Sequence, residues 1–217
     1  MAQYLLLAAS IAFVANTAAL PRQASVRPTV NLGYAKYQGV SVSQGVDQYL
    51  GIPYAAPPID DLRWRAPQDP LPQSSVQDAS GPSPICVGQT DLSFGAFSPP
   101  GTSEDCLTVD VYTPAGAKPG DDLPVWVYLP GGGYALNSNV GTNGTAAIQR
   151  AVEETGSGMV FVYVNYRVGV FGFLASEKIR EDGVLNAGLL DQRKALKWVQ
   201  HHISQVSRNF FANKSTY

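Results

Sequence analysis

The 217-residue sequence predicts an α/β fold in which short antiparallel strands lead into a mostly parallel sheet with flanking helices. Three observations point there. Apolar and polar residues alternate from Tyr34 to Tyr54. Two dense apolar runs, Pro124 to Leu129 and Met159 to Tyr166, enclose a segment with helical spacing. A second helical pattern, longer than the first, covers Asn186 to Ile203.

The alternation from Tyr34 to Tyr54, punctuated by Gly39 and Gly45, is that of short, half-buried antiparallel strands. Pro53, Pro57 and Pro58 end it and open a long irregular region through Gly101. Loops of that length are functional or stapled down. Leu107 to Tyr112 alternates again, which predicts a strand with one solvated face. Pro124 to Leu129 and Met159 to Tyr166 are dense in Val, Tyr, Trp and Phe, which predicts strands covered on both faces. Between them, Thr145 to Thr155 carries Ala, Ile and Val at helical spacing. Strand, helix and strand in that order form a crossover, so the two strands should run parallel. After Phe171-Gly172-Phe173 and a polar loop comes the helix over Asn186 to Ile203, with Leu189, Leu196, Val199 and Ile203 on one face.

The amino terminus is a separate unit. Leu5 to Val14 is an apolar run too short to cross a bilayer core of about 30 Å as a helix. Small residues follow at Thr17-Ala18-Ala19, and Pro21 stops the helix, so residues 1–19 read as a secretory signal peptide and no transmembrane anchor is expected. A 45% hydrophobic content allows a buried core, and a 15% charged content is too low for a solvated disordered chain. The net charge of −2, with no Lys/Arg run, lacks the electrostatic footprint of a nucleic-acid binder. In an exported chain Cys86 and Cys106 most simply close one loop, contributing on the order of 3 kcal/mol. Their spacing fits no metal motif. His201 and His202 project about 100° apart on a helix, so neither a metal nor a cofactor is expected. Asn143-Gly144-Thr145 and Asn213-Lys214-Ser215 are glycosylation sequons in an exported protein.

The chemistry-bearing segment is Leu129-Pro130-Gly131-Gly132-Gly133-Tyr134, directly after an apolar strand. Three glycines let backbone come close to a ligand with N–H groups free to point at it. Acyl transfer needs such donors, because the tetrahedral intermediate places negative charge on the former carbonyl oxygen. One donor of an α/β-hydrolase comes from a loop of this kind, and another follows the nucleophile.

Glu104-Asp105-Cys106-Leu107-Thr108-Val109-Asp110-Val111-Tyr112 resembles the signature segment of type-B carboxylesterases and lipases, the family of cholinesterases and secreted fungal lipases. Four more stretches resemble that family in its order. They are Tyr49-Leu50-Gly51-Ile52-Pro53-Tyr54-Ala55, Asp61-Leu62-Arg63-Trp64, Val164 to Leu174, and Asn186-Ala187-Gly188-Leu189-Leu190-Asp191-Gln192-Arg193. The resemblance implies the N-terminal portion of an α/β-hydrolase fold over residues 20–203. It implies Gly132 and Gly133 as oxyanion-hole N–H donors, Gly131 as the supporting turn, and Cys86–Cys106 as the family's first disulfide. It further implies structural ion pairs for Arg63, Glu104, Asp191 and Arg193, and a small-molecule or lipid ester as substrate.

One departure limits the implied activity. The family's nucleophile sits in a Gly-x-Ser-x-Gly elbow, and the sequence contains none. Gly81-Pro82-Ser83-Pro84-Ile85 and Gly101-Thr102-Ser103-Glu104-Asp105 lack the final glycine. The resemblance fades at Ile203, leaving 204–217 as a divergent tail. The triad residues are therefore expected to be absent, and His201 and His202 to be a solvated helix end, favourable near a helix C-terminus. The implied function is a secreted carboxylic ester hydrolase, with the chain inactive alone. The alternative is a non-catalytic, cholinesterase-like binding or adhesion protein in which the glycine loop is a relic.

Overall fold

A computed structural model describes residues 27–88, 101–137 and 142–206. The expected signal peptide, the Asn213 sequon and most of the 204–217 tail lie outside them. Ten strands and four helices are described. The strands are β1 (Thr29–Asn31), β2 (Lys36–Gln38), β3 (Val40–Val42), β4 (Val46–Pro53), β5 (Val76–Asp78), β6 (Ile85–Cys86), β7 (Thr102–Ser103), β8 (Thr108–Pro114), β9 (Val125–Tyr128) and β10 (Val160–Val164). The helices are α1 (Gly144–Thr155), α2 (Gly169–Phe173), α3 (Glu177–Asp182) and α4 (Ala187–His202).

The main sheet has the order β3-β4-β8-β10-β9. The pairs β3/β4, β4/β8 and β8/β10 are antiparallel, and β10/β9 is parallel. This is the antiparallel start and parallel continuation that the sequence predicts, with α1 as the crossover between β9 and β10. Alternation within each strand sends side chains to two cores. Val109, Val111, Val160, Val162 and Val164 meet Ala195, Trp198, Val199 and Ile203 of the α4 side on one face. Val46, Tyr112, Phe161 and Tyr163 meet Ile148 of α1 on the other. A fully buried Ile such as Ile148 stabilises the fold by about 1.5–3 kcal/mol.

Five expectations need correction. Strand β8 has no solvated face, because Thr108 through Thr113 are all buried. Its polar side chains are paired there: the Asp110 carboxylate accepts the Gly51 N–H at 2.9 Å and the Ser83 hydroxyl. Strand β9 is not covered on both faces. It lies at the sheet edge while α1 packs on β8, β10 and β4, so Trp126 stays 55% exposed and Tyr128 is exposed too. On α4 the buried stripe runs through Gly188, Asp191, Ala195, Trp198 and Val199, leaving Leu189 and Leu196 exposed one residue off it. Strand β2 leaves the antiparallel run and joins a small second sheet, antiparallel to β1 and parallel to β5. His202 is not solvated. It is half-buried, with its ring 5.4 Å from both Tyr34 and Trp198, while His201 is exposed.

Helix ends follow their local chemistry. Asn143 caps α1 by accepting the Thr145 N–H, and Gly156, in the left-handed region, closes it. The Cys86–Cys106 disulfide is present, with Cα atoms 5.1 Å apart and both residues buried, so it ties the irregular region to the entry of β8. Arg63 adds a bidentate pair with Glu104, at 2.5 and 2.9 Å. Asp191 makes the ion pair expected of it, with Arg167; Arg193 is a sixth correction, being exposed and without an ion pair among the described residues.

The Arg167–Asp191 pair joins β10's exit to α4, with both side chains almost wholly buried. Asp191 Oδ2 accepts from the Arg167 backbone N–H at 3.1 Å and from Nε at 2.7 Å, and Oδ1 accepts from Nη2 at 2.7 Å. Burial pushes the Asp191 carboxyl up, and these Arg167 bonds pull it back. Asp191→Ala strands a buried guanidinium and should cost about 3–5 kcal/mol, read as a lowered urea midpoint; a loss under about 1 kcal/mol would contradict this account.

Burial, and then the neighbouring His201, hold His202 below its ordinary pKa of 6.5. The folded chain thus binds fewer protons than the unfolded chain just below that pH, and stability should fall as the pH drops through the window. Urea midpoints measured on either side of it should show this slope reduced in His202→Gln; an unchanged slope would remove His202 as its source.

Candidate active site

Beyond β9 the chain turns through Pro130 into the three glycines. Gly132 and Gly133 have φ of 152° and 60°, and Tyr134 follows at 59°. The Gly132 carbonyl accepts the N–H groups of Ala135 at 3.1 Å and Leu136 at 3.2 Å. A trans peptide is planar, so fixing that carbonyl aims the Gly133 N–H the opposite way, out of the turn. Neither the Gly132 nor the Gly133 N–H donates to any partner among the described residues. A Cβ at Gly132 would lie 1.9 Å from the Leu136 carbonyl oxygen, so only glycine fits there. Gly131 is exposed with open space around it.

The segment leaving β10 grips this loop from below. The buried Tyr166 hydroxyl donates to the Pro130 carbonyl at 2.7 Å, which fixes the peptide leading into Gly131. Burial raises the Tyr166 pKa. Asn137 Nδ2 donates to the Tyr166 carbonyl at 2.7 Å, and the Gly169 N–H donates to the Tyr134 carbonyl at 2.7 Å. The Tyr134 and Phe173 rings lie 4.8 Å apart. Sequence reasoning did not single out Tyr166 and Asn137 as supports of the site. The available signal was a tyrosine and an asparagine beside otherwise apolar or glycine-rich runs, where a buried polar side chain needs a partner.

Next to the loop lies an open cavity of about 530 Å³, lined by Val87, Gly88, Val170, Phe171, Phe173 and Leu174 among other uncharged residues. This wall too was missed, because Phe171 and Phe173 read from sequence as part of a motif rather than as a surface. Gly88, two residues beyond the disulfide, crosses the loop so closely that a Cβ would sit 2.7 Å from the Ala135 carbonyl oxygen. The disulfide, the cavity wall and the glycine loop therefore form one connected unit.

The other singled-out residues lie apart from it. Ser83 is buried and donates to Asp110, and the Ser103 hydroxyl accepts the Asp105 N–H at 3.0 Å, so both serines have structural partners. The ring contacts of His201 and His202 are with Tyr34, Trp198 and each other, not with the glycine loop. Asn143 is exposed at the start of α1. No cluster of His, Cys, Asp or Glu suited to a metal ion occurs among the described residues.

The Carboxylesterase family profile matches residues 26–207. The chain superposes on the crystal structure of Aspergillus niger EstA with a TM-score of 0.75 and 51% identity, covering 84% of this chain and 34% of that one. It is 39% identical over 180 residues to a secreted triacylglycerol lipase of Gibberella zeae, covering 76% of this chain and 30% of the lipase. It is 38% identical over 177 residues to the para-nitrobenzyl esterase of Bacillus subtilis, covering 81% of this chain and 35% of the esterase. The chain thus spans about a third of the length of each. With five motifs in order, the mixed sheet and a profile match over most of its length, the chain belongs to the carboxylesterase family.

Proposed function

We propose that this chain forms the N-terminal part of a carboxylic ester hydrolase and supplies the oxyanion-binding amides. The carrying observation is the pair of N–H groups at Gly132 and Gly133 that have no partner among the described residues, on a turn fixed by the Gly132 carbonyl and by Tyr166. When a nucleophile attacks an ester carbonyl, negative charge gathers on the carbonyl oxygen. Donors already aimed at that position stabilise it without reorganising. Gly131 makes the turn that carries them. The uncharged cavity beside the loop suits an apolar portion of the ester, whether acyl chain or alcohol.

The nucleophile, its general base and the acid that orients the base are not assigned to residues of this sequence, which has no Gly-x-Ser-x-Gly elbow. The 217 residues alone therefore provide stabilisation without attack. Export fits this reading. A relative is described as secreted, a disulfide is present, and no described helix is long and apolar enough to cross a membrane.

The isolated chain should show neither an acyl burst with a short-chain nitrophenyl ester nor a covalent organophosphate adduct by mass spectrometry. Steady turnover accompanied by such an adduct would overturn the assignment of the nucleophile elsewhere. The amides themselves are tested in a chimera carrying residues 26–207 in place of the matching part of EstA. Gly132→Ala in that active chimera should lower kcat by about 10²–10³-fold with KM little changed. An unchanged kcat in a correctly folded variant would remove the glycine loop from the mechanism.

A further inference from the structure

We propose that Asn143 is N-glycosylated on the nascent chain, before α1 docks on the sheet, and that the glycan leaves the cap of α1 intact. The proposal rests on the export reading above. Asn143-Gly144-Thr145 offers the amide, a non-proline middle residue and the hydroxyl that the modification reads. Asn143 is exposed on extended backbone, and its Oδ1 accepts the Thr145 N–H at 2.8 Å. Its Nδ2 donates to no partner among the described residues. Capping and attachment therefore use different atoms of one amide. In the transfer, a bond forms between Nδ2 and the anomeric carbon of a lipid-pyrophosphate-linked oligosaccharide. The bond from that carbon to the pyrophosphate oxygen breaks, the lipid pyrophosphate leaves, and Nδ2 gives up one proton. Oδ1 keeps the lone pairs that accept from Thr145.

The order of events follows from the other two residues. In the folded chain the Thr145 side chain is buried against the sheet, where its hydroxyl accepts from Gln48 Nε2 at 2.9 Å. Gly144 is pressed on two rings, so closely that a Cβ would lie 2.6 Å from both Phe161 and Tyr112. An enzyme that must grasp this tripeptide in extended form, hydroxyl included, reaches it only before α1 settles. Afterwards Asn143 stands at the rim of a separate cavity of about 540 Å³ whose lining includes Gln48, Ser83, Asp110 and Tyr112. A sugar on Nδ2 leads from that rim into solvent.

The test is translation of the full chain, with Asn213→Gln to silence the second sequon, in the presence of endoplasmic-reticulum microsomes. The expected product is protease-protected and carries a single glycan. Enzymatic release should convert Asn143 to Asp in the recovered peptide. Purified, disulfide-closed chain offered the same transferase and lipid-linked donor in detergent should remain unmodified. Asn143→Asp should abolish the glycan and leave the urea midpoint of the sugar-free chain unchanged, since Asp caps as well as Asn, whereas Asn143→Ala should lower that midpoint. A protected chain with bare Asn143, or folded chain modified as readily as nascent chain, overturns the proposal. A chain digested by protease outside the microsomes overturns the export reading and this proposal with it, while leaving the ester-hydrolase reading untouched.

Discussion

The ion pair between Arg167 and Asp191 is the interaction on which the working end of the sheet depends. Both side chains are removed from water, which costs several kcal/mol per ion and is offset only when geometry and hydrogen bonding are nearly complete. Arg167 meets most of that demand with three bonds to the carboxylate, one from its backbone N–H, and a fourth, from Nη2, to the Arg65 carbonyl at 2.9 Å, while its buried Nη1 has no partner among the described residues. One guanidinium thus joins the exit of β10, the start of α4 and the irregular region after β4. The residues flanking it, Tyr166 and Gly169, are those that hold the glycine loop. The charge pair thus anchors the segment that holds the glycine loop without touching the loop itself.

The remaining architecture divides the task. Helices α1 and α4 each cover one face of the β4-β8-β10 centre, which makes that part of the sheet rigid. The disulfide fixes Cys86 to the entry of β8 and so delivers Val87 and Gly88 across the glycine loop. The entropic cost of holding the glycine loop in one conformation is therefore met on folding. The strain in the loop is local: Tyr134 takes a left-handed conformation unusual for a non-glycine residue, and its carbonyl bond to Gly169 and ring contact with Phe173 compensate.

Much of this was legible in the sequence, and the exceptions share a cause. Strand β10, the crossover helix α1, the parallel pairing and the span of α4 follow from local periodicity, which is a property of the chain itself. What misled was burial, which is a property of the neighbours. Thr108, Asp110 and Thr113 look solvent-facing because they are polar, yet they are buried because partners were folded onto them. Trp126 and Tyr128 look like core because they are apolar, yet their strand lies at an edge. On α4, Asp191 and Gly188 selected the buried face over Leu189 and Leu196, since a paired charge and a close backbone approach outweighed two leucines. At the candidate site the sequence singles out the glycine run but not Tyr166 and Asn137, which act through long-range hydrogen bonds that no spacing encodes.

Gly88, Gly132 and Gly188 each place main chain against a neighbour at distances that exclude even a methyl group. At Gly88 and Gly132 the glycine loop is packed backbone on backbone, and at Gly188 helix α4 meets the Arg167 carbonyl in the same way, without the side-chain cushion that fills an ordinary core. Such contacts have few rotamers to rearrange and little void to collapse, so they are locally stiff. The cavity beside the loop, walled by Phe171 and Phe173, is the soft counterpart. Under hydrostatic pressure the open wall would yield before these backbone contacts do.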